Sequence, residues 1–220
     1  MPSLNANQLN KLFRSRNILL EILSMRGYNV ENYIDFSYPE FIAQYTNEQL
    51  DILVKKDGED KNTTGQEVET PQIYVKYHLS SKLTNKAIFR YEEDLFDNDE
   101  ILNKNTDEII IITNQMPNKT IKDTKDTLLN SQGKLINVMH FKNLQTNILK
   151  NDLVPKHTIL SEEEKKKVME KYNIRTLSQF PEIDRHEPVS CILGIRPGQL
   201  VEIERNSPTA LTTLYYRICV

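Results

Sequence analysis

The hydrophobic pattern opens on a helix. From Asn7 to Arg26 the apolar residues Leu9, Leu12, Phe13, Leu20 and Leu23 fall on three- and four-residue steps, and Gly27 follows as a stop. A shorter helix is predicted near Pro39 to Tyr45, with proline at its start. Asp51 to Lys56 reads as a strand, Asp57 to Pro71 as a polar loop without periodicity, and Ile73 to Leu79 as the next strand. Leu83, Ala87, Tyr91 and Leu95 place a helix over Ser81 to Phe96, and an acidic, Asn-rich connection follows. The consecutive isoleucines within Glu108 to Thr113 imply a strand buried on both faces. A helix over Asn118 to Asn130, broken at Gly133, and strands at Leu135 to His140 and Leu144 to Leu149 complete the alternation of an α/β layer.

The pattern then becomes shorter in period. Ser161 and Glu164 form a capping box that starts a helix over Glu162 to Tyr172, with Asn173 as its left-handed stop. Pro188 can begin a two-turn helix that Gly194 ends. After the turn Arg196-Pro197-Gly198, Val201 and Ile203 alternate with Glu202 and Glu204 as in a strand with one wet face. A last strand runs from Leu211 to the terminus, with Leu214, Tyr216, Ile218 and Val220 on one face and Thr213, Tyr215, Arg217 and Cys219 on the other. Neither face is purely polar, so the strand needs cover beyond its own small domain, and a partner chain is the expected source. The fold class is therefore α/β: an N-terminal α/β domain, a mixed sheet flanked by helices, and a small C-terminal α+β domain.

Composition narrows the function classes. With 220 residues, 38% apolar and 27% charged, the chain has the make-up of an ordinary globular protein. Net charge is −3; residues 151 to 220 carry ten basic and ten acidic side chains, which leaves 18 basic against 21 acidic before them. Neither part has the basic excess of a free-standing nucleic-acid binder, so any DNA contact is expected to be local and assisted. No run approaches the ~18 apolar residues of a membrane span, and the N-terminus lacks an apolar signal core. Cys191 and Cys219 are the two cysteines and supply no disulfide framework. Both lie among apolar neighbours, where a cysteine is usually a small core residue, which weakens a catalytic pairing with His157 or His186. Their spacing gives no zinc set, and no phosphate-cradling glycine loop is present; no metal or cofactor is expected.

Three signals in fixed order carry a family resemblance: LVPKH (Leu153 to His157), EPVSCILGIRPGQLVEIER (Glu187 to Arg205) and YYRICV (Tyr215 to Val220). This order resembles the assembly domain of the fifth common subunit of eukaryotic RNA polymerases, whose archaeal counterpart is little more than that domain. The helix ending in Arg26-Gly27-Tyr28 and the junction NILKNDLVPKH are similar to the family's N-terminal jaw, which archaeal members lack. The resemblance implies a jaw over residues 1 to 146, a polymerase assembly domain over 147 to 220, and a eukaryotic-type or eukaryote-virus enzyme. Its other implications are a non-catalytic role in transcription and, as partners, the largest polymerase subunit and other polymerase subunits. Downstream DNA would be met only within the assembled enzyme. Location would be the nucleus for a cellular enzyme, and host cytoplasm or virion for a viral one.

Where family members carry a Thr-Pro-Ser-Ala signature facing downstream DNA, this chain has Gln115-Met116-Pro117-Asn118-Lys119-Thr120. Lys119 and Lys122, beside a helix start, are the DNA-proximal candidates. Lys156, His157, Arg196, Arg205 and Arg217 are candidates for a partner interface, where arginine is favoured, or else surface residues. The jaw's fold type in the family is similar to that of metal-dependent endonucleases. A nuclease needs acids converging on a metal beside a lysine, and the strand holding Lys76 has Tyr74 where an acid would stand. The alternative readings are a stand-alone DNA-binding transcription regulator and, behind it, an orphan nuclease.

Overall fold

Asn5 starts the first helix by a reciprocal bond: its side-chain oxygen accepts from the Gln8 amide at 2.8 Å, and the Gln8 side chain accepts from the Asn5 amide at 3.0 Å. The helix, α1 (Ala6–Met25), buries Leu12, Leu19, Leu20, Ile22 and Leu23 and ends where Gly27 turns left-handed at φ 82°. There the Gly27 amide donates to the Ser24 carbonyl at 2.9 Å and the Tyr28 amide to the Leu23 carbonyl at 3.0 Å, a Schellman closure. In this computed structural model the described residues are 4–57, 70–98, 101–104, 106–207 and 210–220. They fall into two compact units, Met1–Asn147 and Ile148–Val220. Most of the loop expected at Asp57 to Pro71, residues 58–69, lies outside the described residues, as do residues 99, 100 and 105 of the acidic connection.

In the first unit α1 is followed by α2 (Glu31–Ile34) and α3 (Tyr38–Thr46), the latter started by a Ser37/Glu40 capping box with Pro39 in its first turn. The sheet order is β1 (Ile52–Lys55), β2 (Gln72–His78), β3 (Glu108–Thr113), β4 (Leu135–His140). β1 runs antiparallel to β2, and β2, β3 and β4 are parallel. The Tyr33 hydroxyl donates to the Leu53 carbonyl at 3.2 Å and accepts from its amide at 3.4 Å, so the open edge of β1 is covered there. Between the parallel strands lie α4 (Asn85–Glu92) and α5 (Lys119–Gln132). Ile88, Ile121 and Leu128 of these helices pack with Ile109, Ile111, Ile136 and Val138 on one face of the sheet. Ile110 and Ile112 point to the other face and are buried as well, so β3 is covered on both sides.

Two sequence expectations need correction in this unit. The helix expected from Ser81 starts at Asn85, because Thr84 caps it, and runs on through a π-helical turn over Glu93–Asn98. Leu144 to Leu149 is not a strand; 3₁₀ turns form at Phe141–Leu144 and Ile148–Lys150. The Gln145 side chain donates to the Phe141 carbonyl at 2.8 Å and to the Lys11 carbonyl at 3.0 Å, and that of Asn147 to Glu21 at 3.1 Å. Polar side chains bonded in this way favour turns over a ladder.

The second unit pairs its strands in the order β5 (Lys156–Ile159), β7 (Leu200–Ser207), β8 (Leu211–Cys219), β6 (Glu182–Ile183). β6 is parallel to β8 and the other pairs are antiparallel. Helix α6 (Glu162–Lys171) has the Ser161/Glu164 capping box, and Asn173 beyond it is left-handed at φ 53°. Helix α7 (Pro188–Leu193) ends at Gly194. Each face of the sheet has a small core. On one, Ile183, Val201, Ile203 and Cys219 pack with Ile195; on the other, Leu200 and Ile218 pack with Val168 and Phe180. Among the described residues no helix is long and apolar enough to cross a membrane.

Candidate functional site

Strand register sorts the five interface candidates of the second unit. His157 pairs with Ile203, Ile203 with Tyr215, Val201 with Arg217, and Arg205 with Thr213. Directly paired residues share a face, so His157, Arg205, Tyr215 and Arg217 lie on the same side of the sheet. Lys156 pairs with Glu204 and lies on the opposite side, and Arg196 sits in the turn before β7. The Arg205 guanidinium lies 6.0 Å from the Tyr215 ring centre, and Arg217 Nη1 donates to the Glu182 carbonyl at 3.2 Å. His157 Nδ1 is 2.6 Å from the Pro155 carbonyl, which fixes its ring as a donor to backbone.

Around these groups the surface is apolar. Leu211, Leu214, Tyr215 and Val220 are exposed at 87%, 45%, 49% and 50%, and Tyr172 at 50%, with its ring 5.7 Å from that of Tyr216. The individual exposure of Tyr172 and Leu214 is not readable from sequence, but apolar residues on both faces of the terminal strand signal it.

In the first unit β3 ends at Thr113, and the loop after it leads into α5, whose first turn is capped by Asn118 accepting from the Ile121 amide at 3.0 Å. Lys119 and Lys122 are both exposed there, as is Met116 at 65%. Lys76 lies elsewhere, in a cleft of about 470 Å³. Its Nζ is 2.5 Å from Asp51 Oδ2, which also accepts from the Tyr74 hydroxyl at 3.1 Å, while Asp51 Oδ1 accepts from the Tyr77 amide at 3.0 Å. Asp51 thus serves as the tie between β1 and β2, and among the described residues no group of three His, Cys, Asp or Glu is placed to hold a metal. Burial pushes the Cys219 thiol up to about 11, far from a nucleophile at neutral pH, and the Cys191 thiol donates to the Arg185 carbonyl at 3.3 Å.

Two buried ionic groups escape a reading of the sequence. Glu108 accepts from Arg26 Nη2 at 2.6 Å and from Asn137 Nδ2 at 2.7 Å. Lys134 pairs with Glu92 and, at 2.9 Å, with Asp97. Both tie sheet to helix and leave no open coordination for chemistry.

An α/β unit followed by a small α+β unit with an aromatic, arginine-bearing sheet face, and with each candidate nucleophile or base bonded internally, has the form of an assembly subunit. Residues 146–219 match the family model described as RNA polymerase Rpb5, C-terminal domain. The chain is 53% identical to DNA-directed RNA polymerase subunit Rpo5 of Pyrococcus abyssi over 74 residues, 34% of this chain and 89% of that one. It is 30% identical to DNA-directed RNA polymerases I, II, and III subunit rpabc1 of Dictyostelium discoideum over 217 residues, 96% of this chain and 98% of that one. The chain belongs to the Rpb5/Rpo5 family, the fifth common subunit of DNA-directed RNA polymerases.

Proposed function

We propose that the chain is a non-catalytic structural subunit of a multisubunit DNA-directed RNA polymerase. In this reading Ile148–Val220 anchors it to the largest subunit and Met1–Asn147 forms part of the jaw facing downstream DNA. The observation that carries the reading is the full-length match to a subunit named for polymerases I, II and III, beside archaeal subunits that match the second unit alone. A sheet face with Tyr215, Arg205 and Arg217 exposed or partly covered supports the anchor, since aromatic residues and arginine are favoured at the centre of interfaces. The occupied Asp51 carboxylate supports the non-catalytic part. Metal-dependent DNA cleavage by the pure chain, abolished by Lys76→Ala, would contradict it. The Dictyostelium relative supports a nuclear enzyme over a viral one.

The test of the anchor is capture. When Ile148–Val220 and Met1–Asn147 are each co-expressed with the largest subunit, the second unit is expected to be retained and the first lost, and the reverse result assigns the roles wrongly. For the jaw, Lys119→Gln with Lys122→Gln should lower the salt slope of whole-polymerase binding to downstream duplex by up to about 2, as two phosphate contacts release about two counterions.

A further inference from the structure

The last row of the parallel sheet is His78, Thr113 and His140, paired in register across β2, β3 and β4. Each member holds the loop that follows it. His78 Nε2 is 3.2 Å from the Ser81 hydroxyl, the Thr113 hydroxyl donates to the Gln115 carbonyl at 2.6 Å, and His140 Nδ1 accepts from the Lys142 amide at 3.0 Å. The loops also meet one another. Asn143 Nδ2 lies 3.9 Å from Met116 Sδ, and Lys82 shares with Met116, Pro117 and Asn118 the lining of a hollow of about 180 Å³. Each loop exposes a lysine or leads to one: Lys82 after β2, Lys119 and Lys122 after β3, Lys142 after β4. The carboxyl ends of parallel strands are where open α/β sheets take their ligands.

We infer that the DNA-facing surface of this chain is three loops wide, and that Lys82 and Lys142 contact backbone phosphates of the downstream duplex beside Lys119 and Lys122. This rests on the proposed jaw role and adds two residues and two loops to it. Duplex fits better than single strand, because single-strand binders stack bases on exposed aromatic rings. The described residues of these loops offer none; Phe141 is fully buried, and the exposed apolar side chain is Met116. Lysine contacts of this kind position a duplex without reading its sequence.

The test uses assembled polymerase carrying the full-length subunit, with incorporation of each variant checked by subunit stoichiometry, and equilibrium binding to downstream duplex measured against salt. Lys82→Gln with Lys142→Gln should lower the slope by about 2, about as much as Lys119→Gln with Lys122→Gln, and all four changes by about 3.5. Lys82→Arg with Lys142→Arg should keep the original slope, since the charge is what releases counterions. A photo-crosslinking side chain at position 142 should label the duplex. If the 119/122 pair lowers the slope while the 82/142 pair leaves it unchanged and position 142 does not crosslink, the three-loop surface is wrong and the jaw role stands. If neither pair alters the slope, both are wrong.

Discussion

Glu108 is 2% exposed, and its two carboxylate oxygens take one bond each from Arg26 and Asn137. Removing the acid leaves a guanidinium that is itself only 12% exposed, so Glu108→Ala should destabilise the fold by about 3 kcal/mol in urea unfolding, the scale of breaking a buried pair. A change below about 1 kcal/mol would mean that water already reaches the site. His78 and His140 set the pH response. Burial lowers both below the ordinary 6.5, so the unfolded chain binds protons that the folded chain refuses. Stability should therefore fall as pH drops below about 6.5, and His78→Gln with His140→Gln should flatten thermal-unfolding midpoints measured between about pH 7 and 6. The residue scale is where sequence says least. The isoleucines foretell a strand buried on both faces, but Arg26 and Glu108 stand 82 positions apart, and no local pattern joins them.

At the scale of elements, legibility follows local rules. Ser161 and Glu164 read as a helix start because the reciprocal bonds span three residues, and they form, with the Ser161 amide 2.8 Å from Glu164 Oε2. Ser161→Ala should lower the stability of the second unit by about 1 kcal/mol in thermal unfolding, and an unchanged midpoint would show that helix α6 is held by Val168 packing alone. β3 and β4 coincide with their apolar runs. β5 and β6 are not legible: at four and two residues they carry no alternation, and their place is set by β7 and β8 across the ladder. Leu144 to Leu149 errs in the opposite direction, since Leu144, Ile148 and Leu149 suggest a strand while Gln145 and Asn147 commit their side chains to turns. The interface candidates share this limit. Sequence puts His157, Arg205 and Arg217 in one set with Lys156, and register alone separates Lys156 to the other face.

The whole molecule combines two units with separate tasks: a sheet face with apolar and cationic groups in Ile148–Val220, and a basic loop edge in Met1–Asn147. With 18 basic against 21 acidic side chains before residue 151, the first unit lacks the charge to hold DNA alone. The free chain should show almost no duplex binding at physiological salt, and tight binding by it would favour a stand-alone regulator. The most direct measurement of the central claim is purification of the tagged full-length protein from its source under native conditions, with mass and subunit composition read from the eluted particle. The account predicts recovery in one particle with the large polymerase subunits at equal stoichiometry. Recovery as a free monomer or dimer, with polymerase assembled without it, would contradict it.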